Sequence, residues 1–250
     1  MEIWKPDQVK EYYREKNTVD EYIRNRFNEP LNKVEHLRQV TILNDIIEKN
    51  DCKFVVEFAP GPARVTTEIK TGEGVSIDSS ENMLELAKER MKKKGKKWKF
   101  IHADILNSQL KLSKKADLLF CFRFLLHFQK GDRAKIYRQA ANILKKEGLL
   151  VFEAMNGKIV HPVRKILGKK RYFIYDHLYD KPELFLELEQ NGFKIIRLYP
   201  VLKHFKTQAI LSRPLKFMNL NLEAERVIRE IEKIPTSDPY QWVVLCQKKL

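Results

Sequence analysis

Lys53-Phe-Val-Val-Glu57-Phe-Ala-Pro-Gly61-Pro-Ala63-Arg64 carries a short apolar run into a carboxylate, a tight loop of small residues and a helix start. Such a corner suits a nucleotide-type cofactor. Glu57 at the strand end and Asp78 on the next strand, in Gly74-Val-Ser-Ile-Asp78, can each bind a hydroxyl or an amine. A pyrophosphate is a poor match. Dinucleotide loops use three glycines, G-x-G-x-x-G, so that phosphate meets bare backbone at a helix N-terminus. Those positions here hold Ala59, Gly61 and Arg64, and an arginine at the third would keep the helix off the strand. A dehydrogenase is disfavoured on that ground.

The strand–loop–helix pattern repeats outward from this corner. Strands are expected at 53–58, 74–78, 98–102, 116–122, 148–154, 193–199 and 241–247, and helices at 63–70, 80–94, 132–145, 181–191 and 222–234. Ser80, Asp132 and Asp180 are placed to cap three of the helices, the last in a capping box with Glu183. Gly95, Gly148 and Gly192 stand where left-handed turns would end helices. The alternation implies a seven-stranded, mostly parallel α/β sheet with helices on both faces, Rossmann-like in plan.

Two further regions complete the domain plan. Residues 1–50 read as an N-terminal helical lid. Val19, Tyr22, Ile23 and Phe27 share one helix face, and a second helix starts at Glu29-Pro30 with proline in its first turn. The rest, 51–250, reads as one domain with cap insertions at about 156–180 and 200–221. Both insertions follow strands and can fold over the edge where open α/β sheets bind ligands.

Composition narrows the setting. The chain has 250 residues, 43% of them hydrophobic, enough for a sizeable core. No apolar run approaches the roughly 20 residues of a membrane span, and the segment from Ala116 to Phe128 is interrupted by Arg123. The N-terminus, with Glu2, Trp4 and Lys5, lacks a secretory pattern, so a cytoplasmic location is expected. Cys52, Cys121 and Cys246 have no metal-type or CxxC spacing and read as small core residues. The net charge of +15 calls for an anionic partner or a lysine-rich surface.

Five pieces from Glu57 to about Glu153 resemble, in order, the motifs of class I S-adenosylmethionine-dependent methyltransferases, closest to the UbiE-like small-molecule group. They are Val55-Val-Glu57-Phe-Ala-Pro-Gly61-Pro-Ala63, Val75-Ser-Ile-Asp78-Ser79-Ser-Glu-Asn-Met83, Phe100-Ile-His-Ala-Asp104-Ile105, Ala116-Asp-Leu-Leu-Phe-Cys-Phe122-Arg123-Phe-Leu-Leu-His127 and Ile143-Leu-Lys-Lys-Glu-Gly148-Leu-Leu-Val-Phe-Glu153. Ala59 and Ala63 replace two family glycines, which leaves Gly61 as the residue expected to supply an unusual backbone angle.

The resemblance implies S-adenosyl-L-methionine as cofactor and a role for each matching residue. Asp78 follows Glu57 at the roughly 20-residue offset of a ribose-binding acid, or else caps the following helix. Glu57 would order the loop and reach the cofactor tail. Asp104 would take the adenine amino group, or make a turn. Ile105 would pack on the ring, and Met83 on ring and ribose unless it is core. Ser79 belongs to the same second-strand motif. The Phe122 carbonyl is placed for the cofactor ammonium. Tyr22, matching a lid position, would hold the carboxylate or belong to its helix's apolar face.

For the reaction, in-line displacement at the methyl carbon, His127 is the candidate base or a polar residue closing the pocket. Tyr175, His177, His204 and Arg123 are candidate substrate contacts. From Gln190 to Leu222 there is no acid, while Lys194, Arg197, Lys203, Lys206, Arg213 and Lys216 lie among aromatics. This suits a small anionic acceptor with a ring or acyl part, a phospholipid head, or RNA. The competing readings are an RNA methyltransferase or RNA-binding module, and a noncatalytic domain binding S-adenosylmethionine or S-adenosylhomocysteine.

Overall fold

Phe54–Phe58 forms β1 with every residue buried, as a strand covered on both faces requires. The computed structural model describes Trp4, Gln8, Glu11, Tyr12 and residues 29–167 and 174–249. Tyr22 and most of the expected lid lie outside those residues. Helix α1 (Pro30–Lys49) precedes β1 and starts on an extended Glu29 with proline in its first turn. After β1 come β2 (Glu73–Asp78), α2 (Glu81–Lys93), β3 (Trp98–His102), β4 (Ala116–Cys121), α3 (Lys130–Ile143) and β5 (Leu144–Asn156). The chain continues through α4 (Gly157–Leu167), β6 (Leu178–Tyr179), α5 (Lys181–Gln190), β7 (Phe193–Val201), α6 (Phe205–Phe217), α7 (Asn221–Glu232) and β8 (Gln241–Lys248).

The sheet runs in the order β3-β2-β1-β4-β5-β8-β7, with the two-residue β6 beside β5 as an eighth strand. The first five strands pair in parallel, whereas β8 is antiparallel to both β5 and β7. The chain leaves β1 toward β2 and β3, then returns to β4 on the other side. That reversal opens a crevice at the carboxyl ends of β1 and β4.

Alternation along the strands feeds two cores. Phe54, Val56 and Phe58 face Ile136, Tyr137 and Ala140 of α3 and Leu184 and Leu188 of α5. Val55, Leu118, Phe120 and Val243 face Val40, Leu43, Ile46 and Ile47 of α1 and Ile228 of α7. α1 thus lies along the sheet. All three cysteines are free and buried, and burial pushes the Cys52 thiol up to about 11. Among the described residues no helix is long and apolar enough to cross a membrane.

Three local expectations need correction. Residues 61–68 form turns where a helix was expected at 63–70. Ala59, Gly61 and Ala63 all have left-handed backbones (φ 51°, 53° and 54°), so the unusual angle is shared by three residues. Pro60 and Pro62 have no N–H to give between them. Asp132 is not a cap: α3 starts two residues earlier on Gln129, and Asp132 sits in the first turn, where its charge meets the helix dipole. Gly148 lies inside β5, and the left-handed residue is its neighbour Glu147 (φ 57°). Ser80 and Asp180 do cap, accepting from the Met83 and Glu183 amides.

Candidate active site

Loops leaving β1, β2, β3 and β4 meet at one cleft. From β1 it takes Glu57, Ala59 and Gly61, from β2 Asp78, Ser79 and Met83, and from β3 Asp104 and Ile105. Phe122, Arg123 and His127 follow from β4. Of the other sequence candidates, Ala63 is buried beneath the loop against Ala87 and Met91. His204 is the N-cap of α6, and neither it, Tyr175 nor His177 is among the lining residues.

The acids differ in state because their surroundings differ. Glu57 is buried, and burial pushes its carboxyl up to about 8, against the hydroxyl bonds from Thr66 and Ser76 and the charge of Arg64. It is therefore mostly neutral at pH 7. Ser76 is itself fixed by the Trp98 indole N–H at 2.9 Å. Asp78 accepts from the Gly61 amide at 3.1 Å and from the Ser80 amide at 2.9 Å, one on each oxygen. Burial raises its pKa, and the Ser80, Gly61 and Ser79 amides oppose the rise. Asp104 accepts from the Leu106 amide at 3.1 Å and the Asn107 side chain at 2.9 Å, so it also makes a turn.

His127 closes the cleft on a short 3-10 turn (Leu125–His127) and is 7% exposed. Its Nδ1 lies 2.9 Å from Asp176 Oδ1 and 3.1 Å from the Tyr175 carbonyl. Both neighbours of Nδ1 only accept, so a neutral ring would carry its proton on Nδ1 and leave Nε2 to accept. Asp176 also pairs with Arg164. Burial alone would raise the Asp176 carboxyl; the His127 hydrogen bond and charge, then Arg123 and Arg164, hold it below its usual value. The segment is registered by the His177 amide donating to the Leu126 carbonyl at 2.6 Å. The His177 ring turns to Glu183 (2.9 Å) and packs edge-on to Tyr179.

Asp176 was overlooked in the sequence between Tyr175 and His177. Its only legible signal was an acid adjoining two candidate contacts. A second unforeseen group links α1 to the cleft wall. Glu153 at the end of β5 accepts from the Arg123 amide at 2.7 Å and from Gln39 at 2.8 Å. Gln39 in turn accepts from Arg64 at 2.9 Å, so Arg64 is drawn outward toward α1. Glu35, bonded by Gln39 and Gln241, is pushed up to about 7, by burial first and then by the Glu153 charge.

The loop's construction fits a cofactor without phosphates: two of its residues are prolines with no N–H, and the Gly61 amide between them is taken by Asp78. Residues 55–148 match the family model for a methyltransferase domain. That stretch is a methyltransferase domain by its sequence match. Solved structures share the fold of the methyltransferase domain and its flanks. Magnesium protoporphyrin IX methyltransferase from Synechocystis, with bound S-adenosylhomocysteine, is 14% identical at a TM-score of 0.65, over 97% of this chain and 99% of that one. An S-adenosylmethionine-dependent methyltransferase from Clostridium acetobutylicum is 14% identical at a TM-score of 0.61, over 94% and 97%. The N-methyltransferase NodS from Bradyrhizobium japonicum, with S-adenosylhomocysteine, is 12% identical at 0.57, over 88% of each. At these identities the likeness is one of fold. No curated protein matches the sequence.

Proposed function

We propose that the protein is an S-adenosylmethionine-dependent methyltransferase acting on a small acceptor that must lose a proton. The observation that carries this is the convergence of acids from three strand ends with a carboxylate-held histidine in one cleft. When bound, S-adenosylmethionine supplies an electrophilic methyl carbon. Asp78 would hold the ribose hydroxyls with the lone pairs its two amide bonds leave free. Asp104 would take the adenine amino group, with Ile105 and Met83 against the ring and ribose. Glu57 and the Phe122 carbonyl would receive the amino-acid tail, assisted by Tyr22.

His127 has the geometry of a general base. Asp176 fixes its tautomer and stabilises the imidazolium that forms as Nε2 takes the acceptor's proton. The remaining task is alignment and exclusion of water, which the Phe124 and Phe128 rings, 4.9 Å apart at the cleft, support. The segment before α1 serves in this reading as the lid, since α1 itself is packed along the sheet. The 156–180 insertion serves as a cap that delivers Asp176 to His127, and 200–221 as a second cap with His204 at its base. The UbiE-like, small-anion reading of the acceptor rests on the motifs and the basic charge. The test is transfer of labelled methyl from S-adenosylmethionine to metabolites in an extract. Transfer by the wild type that is lost in His127→Gln supports the proposal. A wild type that binds cofactor yet transfers nothing to any acceptor removes it.

A further inference from the structure

We infer that the tip of the α6–α7 hairpin is a docking surface for an anionic lipid bilayer. The inference stands apart from the methyl-transfer reading. The hairpin leaves the sheet after Val201 and returns at Gln241, residues that pair with each other and lie at the cleft end of β7 and β8. Its far end meets the start of α1, through Lys216 with Glu29 and Lys33 with Glu225 at 3.0 Å. The α1 residues one and two turns further on, Glu35 and Gln39, reach Gln241 and Glu153 at that same edge of the sheet. The tip therefore projects past the end of the sheet where the cleft opens.

That tip is apolar and bare. Phe217 is 91% exposed, Met218 66% and Leu222 76%, with Leu220 between them and Ile210 and Leu211 on the outer side of α6. Only Gln208 and Ser212 of α6 are fully buried among the described residues, with Phe205 at its start stacked on Tyr240. So dense a cluster exceeds the scattered apolar residues of an ordinary surface. Its charge names the occupant. Arg213 and Lys216 stand beside it, with Lys206 at the start of α6, in a stretch without acids from Gln190 to Leu222. Of the nearby acids, Glu29 pairs with Lys216 and Glu225 with Lys33 and Arg229, while Glu223 stands in the first turn of α7. Apolar side chains ringed by lysine and arginine are the chemistry of interfacial helices on anionic leaflets.

The test is sedimentation of the full chain with vesicles of phosphatidylglycerol and phosphatidylcholine, against pure phosphatidylcholine. Binding to the anionic vesicles is expected, falling at least tenfold in the triple variant Phe217→Ser, Met218→Ser, Leu222→Ser and likewise in Lys206→Glu with Arg213→Glu. All five positions are at the surface, and circular dichroism checks that the fold is kept. Failure of the wild type to bind anionic vesicles overturns the inference, as does a triple variant that binds equally well. Light scattering that shows a dimer dissolved by the triple variant would instead give this face to a second copy of the chain.

Discussion

Replacing Asp78 with asparagine separates the ribose-binding role from a purely structural one. The carboxylate now accepts one amide on each oxygen, at 2.9 and 3.1 Å, and each oxygen retains a lone pair for a ribose hydroxyl. Asparagine keeps the volume but has one acceptor oxygen and no charge. Its NH2 must confront either the Gly61 or the Ser80 amide, and one hydroxyl loses its acceptor. A hydrogen bond to a charged group is worth about 1.5–3 kcal/mol, so S-adenosylmethionine affinity should fall about tenfold to a hundredfold. Calorimetric titration measures it, with the 2′-deoxy cofactor analogue as control. The wild type should discriminate against the analogue by a similar factor, and Asp78→Asn should not. An Asp78→Asn protein that binds within about threefold of wild type, or still rejects the analogue fully, refutes the reasoning.

Asp176→Asn should lower kcat by about a hundredfold or more, with cofactor affinity unchanged in titration, because it frees the wrong His127 tautomer. Equal losses in kcat and cofactor affinity would point to a collapsed cleft. Stability should fall as pH rises from about 5 to 8. The unfolded chain releases the Glu35 and Glu57 protons near 4.5, whereas the folded protein holds them to about 7 and about 8. The folded state thus binds more protons across that window, worth up to about 1.4 kcal/mol per pH unit for each group. Urea denaturation at several pH values checks this, and Glu57→Gln should flatten the slope. Ala59→Gly should raise stability by about 0.5–1 kcal/mol in the same assay, by relieving a left-handed alanine.

The fold was legible where apolar runs end in turn residues. β1 to β4 fall within a residue or so of their expected bounds, because buried parallel strands show little but Val, Ile, Leu and Phe. What stayed hidden depends on distant partners. Three consecutive odd positions, two of them alanines, adopt left-handed angles only because surrounding contacts hold them there. The histidine was legible from its place after β4, but Asp176, far along the chain, reaches it only through the fold. Glu35 and Gln39, four apart on the α1 face turned to the sheet, were a legible sign of a polar seam that the apolar spacing drew attention from.

Beneath the cleft, Arg133 is 1% exposed and grips Glu187 with two nitrogens, while a third holds the Phe128 carbonyl at 2.7 Å. Tyr137 and Tyr179 close on the same carboxylate at 3.0 and 2.8 Å. This knot joins the turn bearing His127 to the strand that follows Asp176, so the two partners share one foundation. A survey of inactivating substitutions should consequently return Arg133 and Glu187 beside the cleft residues, although neither lines it. Position along the chain or remoteness from the acceptor would be a misleading guide to which inherited changes silence the protein.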